Sequence, residues 1–283
     1  MLIIRFLDPD GRLSWGRLDS AAPPESPRAF PMKGDPFRAA RYGPRGAALA
    51  VDAFETDAIR VVGLLPPVDP PNVFAIGLNY RKHAEEQGLT KLPDEPLVFL
   101  KATTAVIGPE QPIVLPRSAP DEVDFEAELA IVIGRRCRNI APEDALAHVL
   151  GYTCANDVSA RDCQKKRDKQ WARAKSFDTF CPLGPALAAA DGFDPAAAPI
   201  RARLNGALMQ DAVTSDLIFA VPTLVSFLSH QFTLLPGTVI LTGTPSGVGF
   251  ARNPPVYLRA GDVITIEIDG IGALSNPVRS ESA

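Results

Sequence analysis

Short apolar runs separated by turn residues recur along most of the chain, and such runs predict strands. The earlier runs are VFAIGLNY, PLVFLKA, FEAELAIVIG and VLGYTCANDVS, and the later ones are IRARLNG, TVILTGT, VYLRAGD and DVITIEIDGIGAL. The pairs Asn205-Gly206 and Asp269-Gly270 predict tight hairpin turns. At the amino terminus, LIIRFL, DPDGR and LSWGRL predict a further hairpin. The pattern therefore indicates a chain that is mainly β.

Helical patterns are fewer and do not alternate strictly with the strands. PEDALAHVL begins at Pro142, and proline is favourable in the first turn of a helix. The other predicted helices are residues 160–174 and 216–230, the second with Asp216 as its cap. This arrangement favours an α+β, mainly β fold over a doubly wound parallel sheet.

A proline-rich stretch divides the chain unequally. Prolines are frequent at residues 23–36, and AIRVVGLLPPVDPPN, residues 58–72, resembles a short strand that runs into a linker. The length of 283 residues suits one large domain with a small one. We therefore predict a small amino-terminal, β-containing module over residues 1–66 and a main domain over residues 67–283.

Composition excludes several classes of partner. The net charge is −4 and no run of five basic residues occurs, so no nucleic-acid partner is expected. No apolar run reaches the roughly 18–20 residues of a membrane span, and the amino terminus lacks the features of a signal peptide. The four cysteines form no C-x-x-C pair, which suits a reduced, cytoplasmic protein. The densest basic cluster, Lys165 to Arg167, is flanked by Asp162 and Asp168 and is interpreted as a solvated helix face.

An unusual concentration of acids precedes one buried strand. In DEVDFEAELAIVIG, Asp124, Glu126 and Glu128 occupy alternate positions, and alternate residues of a strand share one face. Two carboxylates this close repel each other, and burial would raise their pKa values. The acids could be exposed on an edge strand, could pair with Arg or Lys, or could hold a divalent cation. The pattern alone leaves these three interpretations open.

A further acid strengthens the metal hypothesis. The next strand, in GYTCANDVSA, ends at Asn156-Asp157 before Arg161. Glu126, Glu128 and Asp157 together would provide the oxygen ligands that Mg²⁺ or Mn²⁺ prefers. The only histidines are His83, His148 and His230, too few and too widely separated for most zinc or iron sites.

One histidine is well placed for proton transfer. In GLNYRKHAEEQG, Gly77 ends a strand and His83 and Glu86 stand at i and i+3 of a predicted helical turn. A carboxylate bound to an imidazole fixes its tautomer and raises its basicity, so the pair could take a proton from water. The alternative is an ordinary surface pair. His148 and His230 lie in apolar helical patterns and are interpreted as structural.

Two more segments suggest ligand contacts. Lys175 in QWARAKSFDTFCPLGP could be a desolvated positive charge for a carboxylate or an enolate, or else a surface lysine. LTGTPSGVG, residues 241–249, could let its backbone approach a ligand closely, or could be a plain turn. It lacks the Gly-Lys-Ser/Thr ending of a phosphate-binding P-loop.

Taken together, these motifs resemble the fumarylacetoacetate hydrolase family. The matching stretches span about residues 72–278: IGLNYRKHAEE, PLVFLKATTAVIG, VDFEAELAIVIG, GYTCANDVSARD, KSFDTFCPLGP, ILTGTPSGVG and GDVITIEIDGIGALSNPV. The resemblance implies a mixed β-roll domain and a homodimer. It also implies a divalent cation, Mg²⁺ or Mn²⁺, with Ca²⁺ as a substitute in crystals.

The resemblance also assigns roles to individual residues. It places the cation on Glu126, Glu128 and Asp157 and a water-activating dyad at His83 and Glu86, on a segment that acts as a lid in relatives. It gives substrate contacts to Lys175 and the Gly243-Thr244 loop and, more weakly, to a second set: Lys101, Arg161 and Gln164. Asp124 is expected to lie behind the metal ligands.

The activity implied is chemistry on a small-molecule 2-oxo acid, often a 2,4-dioxo acid. We predict hydrolysis of the bond between C3 and C4 of an acylpyruvate or fumarylpyruvate, with water activated by His83 and Glu86. The cation and Lys175 would stabilise the enolate that leaves. The family also contains decarboxylases, hydratases and isomerases of aromatic catabolism, and the dyad favours hydrolysis without deciding it.

Two interpretations from other classes stay open on the sequence. The acids could bind Ca²⁺ for stability alone, in a protein that is not an enzyme. An iron oxygenase would need two histidines and one carboxylate, and no histidine pair here has suitable spacing.

Overall fold

The computed structural model describes residues 1–37 and 53–282, and strands predominate in it. The strands of the amino-terminal half are β1 Leu2–Leu7, β2 Leu13–Leu18, β3 Arg28–Pro31, β4 Ile59–Arg60, β5 Gly63–Leu65, β6 Val73–Gly77, β7 Leu97–Lys101, β8 Val106–Ile107, β9 Ile113–Leu115, β10 Val123–Asp124 and β11 Ala127–Ile133. The remaining strands are β12 Val149–Asn156, β13 Ser159–Ala160, β14 Cys181–Ala189, β15 Pro199–Leu204, β16 Ala207–Val213, β17 Val239–Leu241, β18 Val263–Ile268 and β19 Gly272–Ser280.

A large mixed sheet carries the acidic strand at its centre. Its order is β4-β3-β2-β1-β14-β12-β11-β17-β6-β7, with β5 on β1 and β8 on β14. Every residue of β11 and β12 is buried, which explains why both read as continuous apolar runs. Strands β11 and β12 are antiparallel, with Ala127 opposite Asn156. This register brings the acidic end of β11 next to the polar end of β12.

A second sheet of five strands, in the order β16-β15-β18-β19-β9, contributes to the same core. Both predicted hairpins are present in it. Leu204 pairs with Ala207 around Asn205-Gly206, and Ile268 pairs with Gly272 around Asp269-Gly270. Asn205 takes a positive φ of 51°, which a type I′-like turn requires. The predicted mainly β fold is confirmed, whereas VYLRAGD, residues 256–262, forms no strand.

The amino-terminal hairpin is present as predicted and is continuous with the large sheet. Strand β1 pairs with β2 and, on its other side, with β14, where Leu2 lies opposite Ala188. The boundary predicted after residue 66 follows β5 directly and stays a prediction. Part of the predicted module, residues 38–52, lies outside the described residues.

Within residues 1–37 and 53–282, the α-helices are α1 Arg81–Glu86, α2 Ala172–Lys175 and α3 Val221–Gln231. The helix predicted over residues 216–230 begins later than expected, because Asp216 ends a 3₁₀ turn and Ala220 precedes α3. Residues 160–174 split into a π-helix, Cys163–Arg167, and the start of α2. The segment Pro142–His148 is a 3₁₀ helix. Across the described ranges, no helix is both long and apolar enough to cross a membrane.

Candidate active site

Three buried carboxylates meet where β10 and β12 end and β11 begins. Glu128 belongs to β11, Glu126 precedes that strand, and Asp157 follows β12. The backbone N–H of Asp157 donates to the carbonyl of Glu126 at 2.9 Å, which holds the two segments together. One carboxylate oxygen from each acid lies within 4.8 Å of the others. The structure therefore brings together the three residues that the sequence analysis nominated as metal ligands.

Basic side chains surround this cluster. Lys175 Nζ lies 2.8 Å from Glu126 Oε2 and 2.6 Å from Asp157 Oδ2, and the lysine is only 2% exposed. Its interpretation as a surface lysine is therefore excluded. Lys101 Nζ lies 2.5 Å from Asp157 Oδ1, and Arg161 Nη2 lies 2.6 Å from Glu126 Oε1. The acids therefore pair with basic residues, which is one of the three interpretations that the sequence left open.

Glu128 is the acid of the cluster that makes no ion pair with any residue the structure describes. Its Oε2 accepts the backbone N–H of Gly243 at 2.6 Å. Burial, and then the negative charges of Asp157 and Glu126, raise the pKa of Glu128 well above its usual value. Burial also disfavours the Glu126 anion, but Lys175 and Arg161 outweigh it and lower the pKa of Glu126.

This charge distribution suits a hard divalent cation. Lys101, Arg161 and Lys175 face four carboxylates when Asp124 is included, so one negative charge is in excess. The donor set is all oxygen, as Mg²⁺ and Mn²⁺ prefer. Glu126, Glu128 and Asp157 therefore fit the predicted metal site, and a cation among them would relieve the repulsion that Glu128 experiences.

Asp124 lies behind the cluster, as expected. Its carboxylate is fully buried and binds Arg161 Nε at 2.9 Å. It also accepts the backbone N–H groups of Gly249 and Phe250 at 2.8 and 3.1 Å. Asp124 thus joins Arg161 to the glycine-rich loop, so the two sides of the site are fixed relative to each other.

The predicted contact between His83 and Glu86 is present on helix α1. His83 Nδ1 lies 2.9 Å from Glu86 Oε2, and the histidine is buried. Glu86 Oε1 accepts the backbone N–H of Gly247 at 2.8 Å. With Nδ1 bound to the carboxylate, Nε2 is the atom of the ring that can exchange a proton. His83 lines the same cavity as Glu126 and Glu128.

The glycine-rich loop is held by residues that the sequence analysis did not single out as functional. Thr244 Oγ1 accepts from Gln210 Nε2 at 2.8 Å, and Asn79 Nδ2 donates to the carbonyl of Thr242 at 2.7 Å. Gly243 has a φ of +103°, and a Cβ there would lie 2.8 Å from the Cβ of Asn79. Glycine is therefore needed at residue 243 for both conformation and space.

The cavity above the cluster has a volume of about 250 Å³. Of the predicted substrate contacts, four line it, whereas Lys101 and Gly243 do not; those that do are Lys175, Arg161, Gln164 and Thr244. Lys101 is buried against Asp157 instead. The sequence did not indicate several other lining residues. Two of them are polar, Gln87 and Lys165, and the others include Ile76, Gly77, Leu78, Leu89, Phe99 and Phe250.

The sequence did not show that Lys165 lines the cavity, because this lysine is one of three consecutive basic residues. Lys166 and Arg167 are on the exposed side of the π-helix and pair with Glu122 and Asp162. The interpretation of this cluster as a solvated face agrees with the exposure of all three side chains, and Lys165 in addition lines the cavity. The position of Lys165 beside the cavity depends on the fold of this π-helical segment, so the sequence pattern does not show it.

Comparisons with known proteins show the family of the chain and agree with its fold. The family described as fumarylacetoacetate (FAA) hydrolase C-terminal matches residues 72–279. A mitochondrial oxaloacetate tautomerase of Xenopus laevis is 51% identical over 77% of this chain and 68% of its own length. The crystal structure of a 5-carboxymethyl-2-hydroxymuconate delta-isomerase from Mycobacterium smegmatis has a TM-score of 0.84 at 39% identity, covering 99% of this chain and 100% of its own. A fumarylacetoacetate hydrolase from Exiguobacterium antarcticum has a TM-score of 0.83 at 37% identity, covering 99% and 100%.

Proposed function

The chain belongs to the fumarylacetoacetate hydrolase family, and from this premise we propose that it interconverts the keto and enol forms of a small 2-oxo dicarboxylic acid. The observation that carries the proposal is the position of His83. Its ring is held by Glu86 and lines the same cavity as Glu126 and Glu128, two acids of the carboxylate cluster. A proton-transfer group and a site for a 2-oxo acid thus share one cavity.

The metal site is the first element of the proposal. Glu126, Glu128 and Asp157 would hold Mg²⁺ or Mn²⁺, the cations that an all-carboxylate donor set favours. When bound, such a cation supplies positive charge that favours the enolate form of a 2-oxo acid. Lys175, buried beside Glu126 and Asp157, adds a fixed positive charge on the same side.

His83 is the second element. In the proposed reaction, Nε2 takes a proton from C3 of the substrate, and a proton is added to the oxygen on C2. One C–H bond breaks and one O–H bond forms, so the reaction needs no further reactant. Glu86 stabilises the imidazolium that forms in between. Because Gly247 binds the other oxygen of Glu86, the carboxylate keeps its orientation.

The size of the cavity limits the substrate. Pockets for drug-sized ligands have volumes of about 300–1,000 Å³, and this cavity has about 250 Å³. Phe99 and Trp171 meet edge to face on one side, with ring centroids 5.4 Å apart, and close that wall. A compact 2-oxo acid suits this space better than one with a long acyl chain.

Hydrolysis of the C3–C4 bond of a 2,4-dioxo acid, the reaction predicted from the sequence, is the second candidate. The same geometry favours it, because His83 could take a proton from water instead of from carbon. The similar protein from Exiguobacterium antarcticum is named a fumarylacetoacetate hydrolase. Decarboxylation and hydration are the remaining alternatives on this metal platform.

One screen separates these candidates. Purified protein with Mg²⁺ or Mn²⁺ would be mixed with enol oxaloacetate, an acylpyruvate, fumarylpyruvate and a 2-oxo-3-enoate, and the enol absorbance followed against metal alone. We expect rapid loss of oxaloacetate enol with no carbon dioxide released. His83→Gln should remove the activity and leave metal binding intact. Cleavage of the acylpyruvate alone would instead establish hydrolysis, and turnover unaffected by His83→Gln would contradict the role of His83 in either reaction.

The assembly and the compartment are proposals from the sequence. We propose a cytoplasmic homodimer that acts on a small-molecule 2-oxo acid, without nucleic-acid or membrane partners. The four cysteines support a reducing compartment, since all are free and buried. Sedimentation at several concentrations would test the dimer.

A further inference from the structure

One lysine that lines the cavity has contacts with a ring and an amide but no carboxylate partner among the described residues. Lys165 Nζ lies 3.8 Å from the centre of the Phe250 ring and donates to Gln87 Oε1 at 3.4 Å. The guanidinium of Arg161 also lies over this ring, at 4.3 Å. Cation–π contacts of this kind restrict side chains that would otherwise be mobile. The ammonium of Lys165 is therefore a positioned charge rather than a freely moving one.

Lys165 has no carboxylate at ion-pair distance within the described part of the chain, although Glu126 and Asp124 act on its charge from farther away. Its neighbours Lys166 and Arg167 pair with Glu122 and Asp162, whereas Lys165 makes no such ion pair. Partial burial and the nearby Arg161 both lower the pKa of Lys165, which shows that its surroundings disfavour another positive charge. A bound anion beside Lys165 would favour its charged form and raise its pKa.

Gln87 supplies a second donor beside that charge. Its side-chain carbonyl faces Lys165, and its amide nitrogen, Nε2, is buried and has no hydrogen-bond partner among the residues that the structure describes. A buried donor without a partner is costly, so such a group usually serves a ligand or a water molecule. Both residues line the cavity that contains His83 and the carboxylate cluster. An ammonium and an amide N–H are the donors that a carboxylate accepts from.

We propose that Lys165 and Gln87 bind the second carboxylate of a 2-oxo dicarboxylic acid, at the end of the substrate away from the 2-oxo group. The inference rests on the proposed function, which places the 2-oxo acid end at the carboxylate cluster. Phe99 and Trp171, which line the same cavity, have uncharged side chains and cannot pair with a second carboxylate. Lys165 and Gln87 thus select a dicarboxylate over a 2-oxo acid with an uncharged tail.

The test compares two substrates that differ only in the distal charge. Oxaloacetate and its 4-ethyl ester share the 2-oxo acid end, but the ester lacks the second carboxylate. Lys165→Met and Gln87→Leu would be measured with both, in the full-length protein with Mg²⁺. Lys166→Met is the matched control, because Lys166 is adjacent in sequence but does not line the cavity. Lys165→Arg tests rescue of the charge.

We expect Lys165→Met to raise KM for oxaloacetate about 10- to 100-fold, since a charge-assisted hydrogen bond is lost. KM for the ester should change little, Gln87→Leu should show a smaller effect of the same kind, and Lys165→Arg should restore much of the loss. Equal effects on both substrates, no effect on either, or a wild-type preference for the ester would overturn the proposal.

A binding measurement separates this inference from the proposed reaction. If the wild-type protein turns over neither compound, the proposed function fails, and calorimetric titration with oxaloacetate and 2-oxobutanoate still tests the subsite. If Lys165→Met binds oxaloacetate more weakly than wild type does but binds 2-oxobutanoate equally well, the subsite is supported even in the absence of tautomerisation. Identical affinities in wild type and variant would reject the subsite as well.

Discussion

Glu86 accepts the backbone N–H of Gly247 through the carboxylate oxygen that does not bind His83. The two contacts, 2.8 Å to Gly247 and 2.9 Å to His83, join helix α1 to the glycine-rich loop. The histidine and the loop that carries Thr244 therefore keep a common position. A change at Glu86 should affect proton transfer without unfolding the protein, because its side chain lies at the rim of the site.

We first predict that Glu86→Gln lowers kcat about 100-fold or more and changes KM little. The amide retains the shape of the carboxylate but cannot stabilise an imidazolium by charge. Steady-state kinetics on the enol substrate would measure this. Glu85→Gln is the control, since Glu85 is exposed on the same helix. A variant with wild-type kcat would show that His83 needs no charged partner.

The second prediction concerns Glu128. Glu128→Gln should weaken Mg²⁺ binding, because one of three carboxylate ligands becomes an amide. In chelator at neutral pH the same variant should melt higher than wild type, because the neutral amide avoids the cost of either burying a negative charge or taking up a proton at residue 128. The expected rise in melting temperature is roughly 2–4 °C for each kcal/mol by which the free energy of unfolding increases.

The pH dependence follows from the same pKa shift. The folded-state pKa of Glu128 is raised above its ordinary value of 4.5. The stability associated with the protonated acid is therefore present below that pH and is lost as pH rises through the raised value. Melting temperatures in chelator should show this loss in wild type and less of it in Glu128→Gln. Glu122→Gln, at an exposed ion pair, should behave like wild type. Parallel curves for all three proteins would contradict the assignment.

The third prediction is that Lys175→Met destabilises the metal-free protein by about 3–5 kcal/mol, the usual cost of breaking a buried ion pair from one side. Lys175 contacts both Glu126 and Asp157, so its loss leaves less positive charge to offset their repulsion. Mg²⁺ should therefore raise the melting temperature of Lys175→Met more than that of wild type. Urea unfolding would measure the first effect, with exposed Lys169→Met as the control. An unchanged free energy of unfolding would mean that other groups neutralise the cluster.

The fourth prediction separates backbone strain from crowding. Gly243 and Gly261 have φ values of +103° and +96°, but only Gly243 has neighbours where a Cβ would go. Gly261→Ala should cost about 1–2 kcal/mol, the penalty of a left-handed conformation. Gly243→Ala should cost more and should also lower kcat/KM about tenfold or more, because the loop that binds Glu128 has to move. Equal costs at the two sites, with normal activity, would show that the loop adapts.

Local features of the site were predictable from the sequence. The pairing of His83 and Glu86 depends only on residues three apart on one helical turn, and the hairpins at Asn205-Gly206 and Asp269-Gly270 depend only on turn residues. The start of α3 was misplaced because Asp216 is a good cap by type, while the chain forms a 3₁₀ turn there. Propensity identifies a residue that can cap a helix, but tertiary contacts decide whether it does.

By itself the sequence determined the mainly β fold, the acidic residues at the ends of two core strands and the neighbouring histidine. The tertiary structure decided which charges meet. Lys101 pairs with an acid 56 residues away, Lys175 is buried between two carboxylates, and Lys165, exposed like its neighbours, also lines the cavity. Periodicity and turn preference act over a few residues, so they can be recognised in the sequence. Ion pairs across a sheet depend on register and packing, which exist only once distant strands have come together.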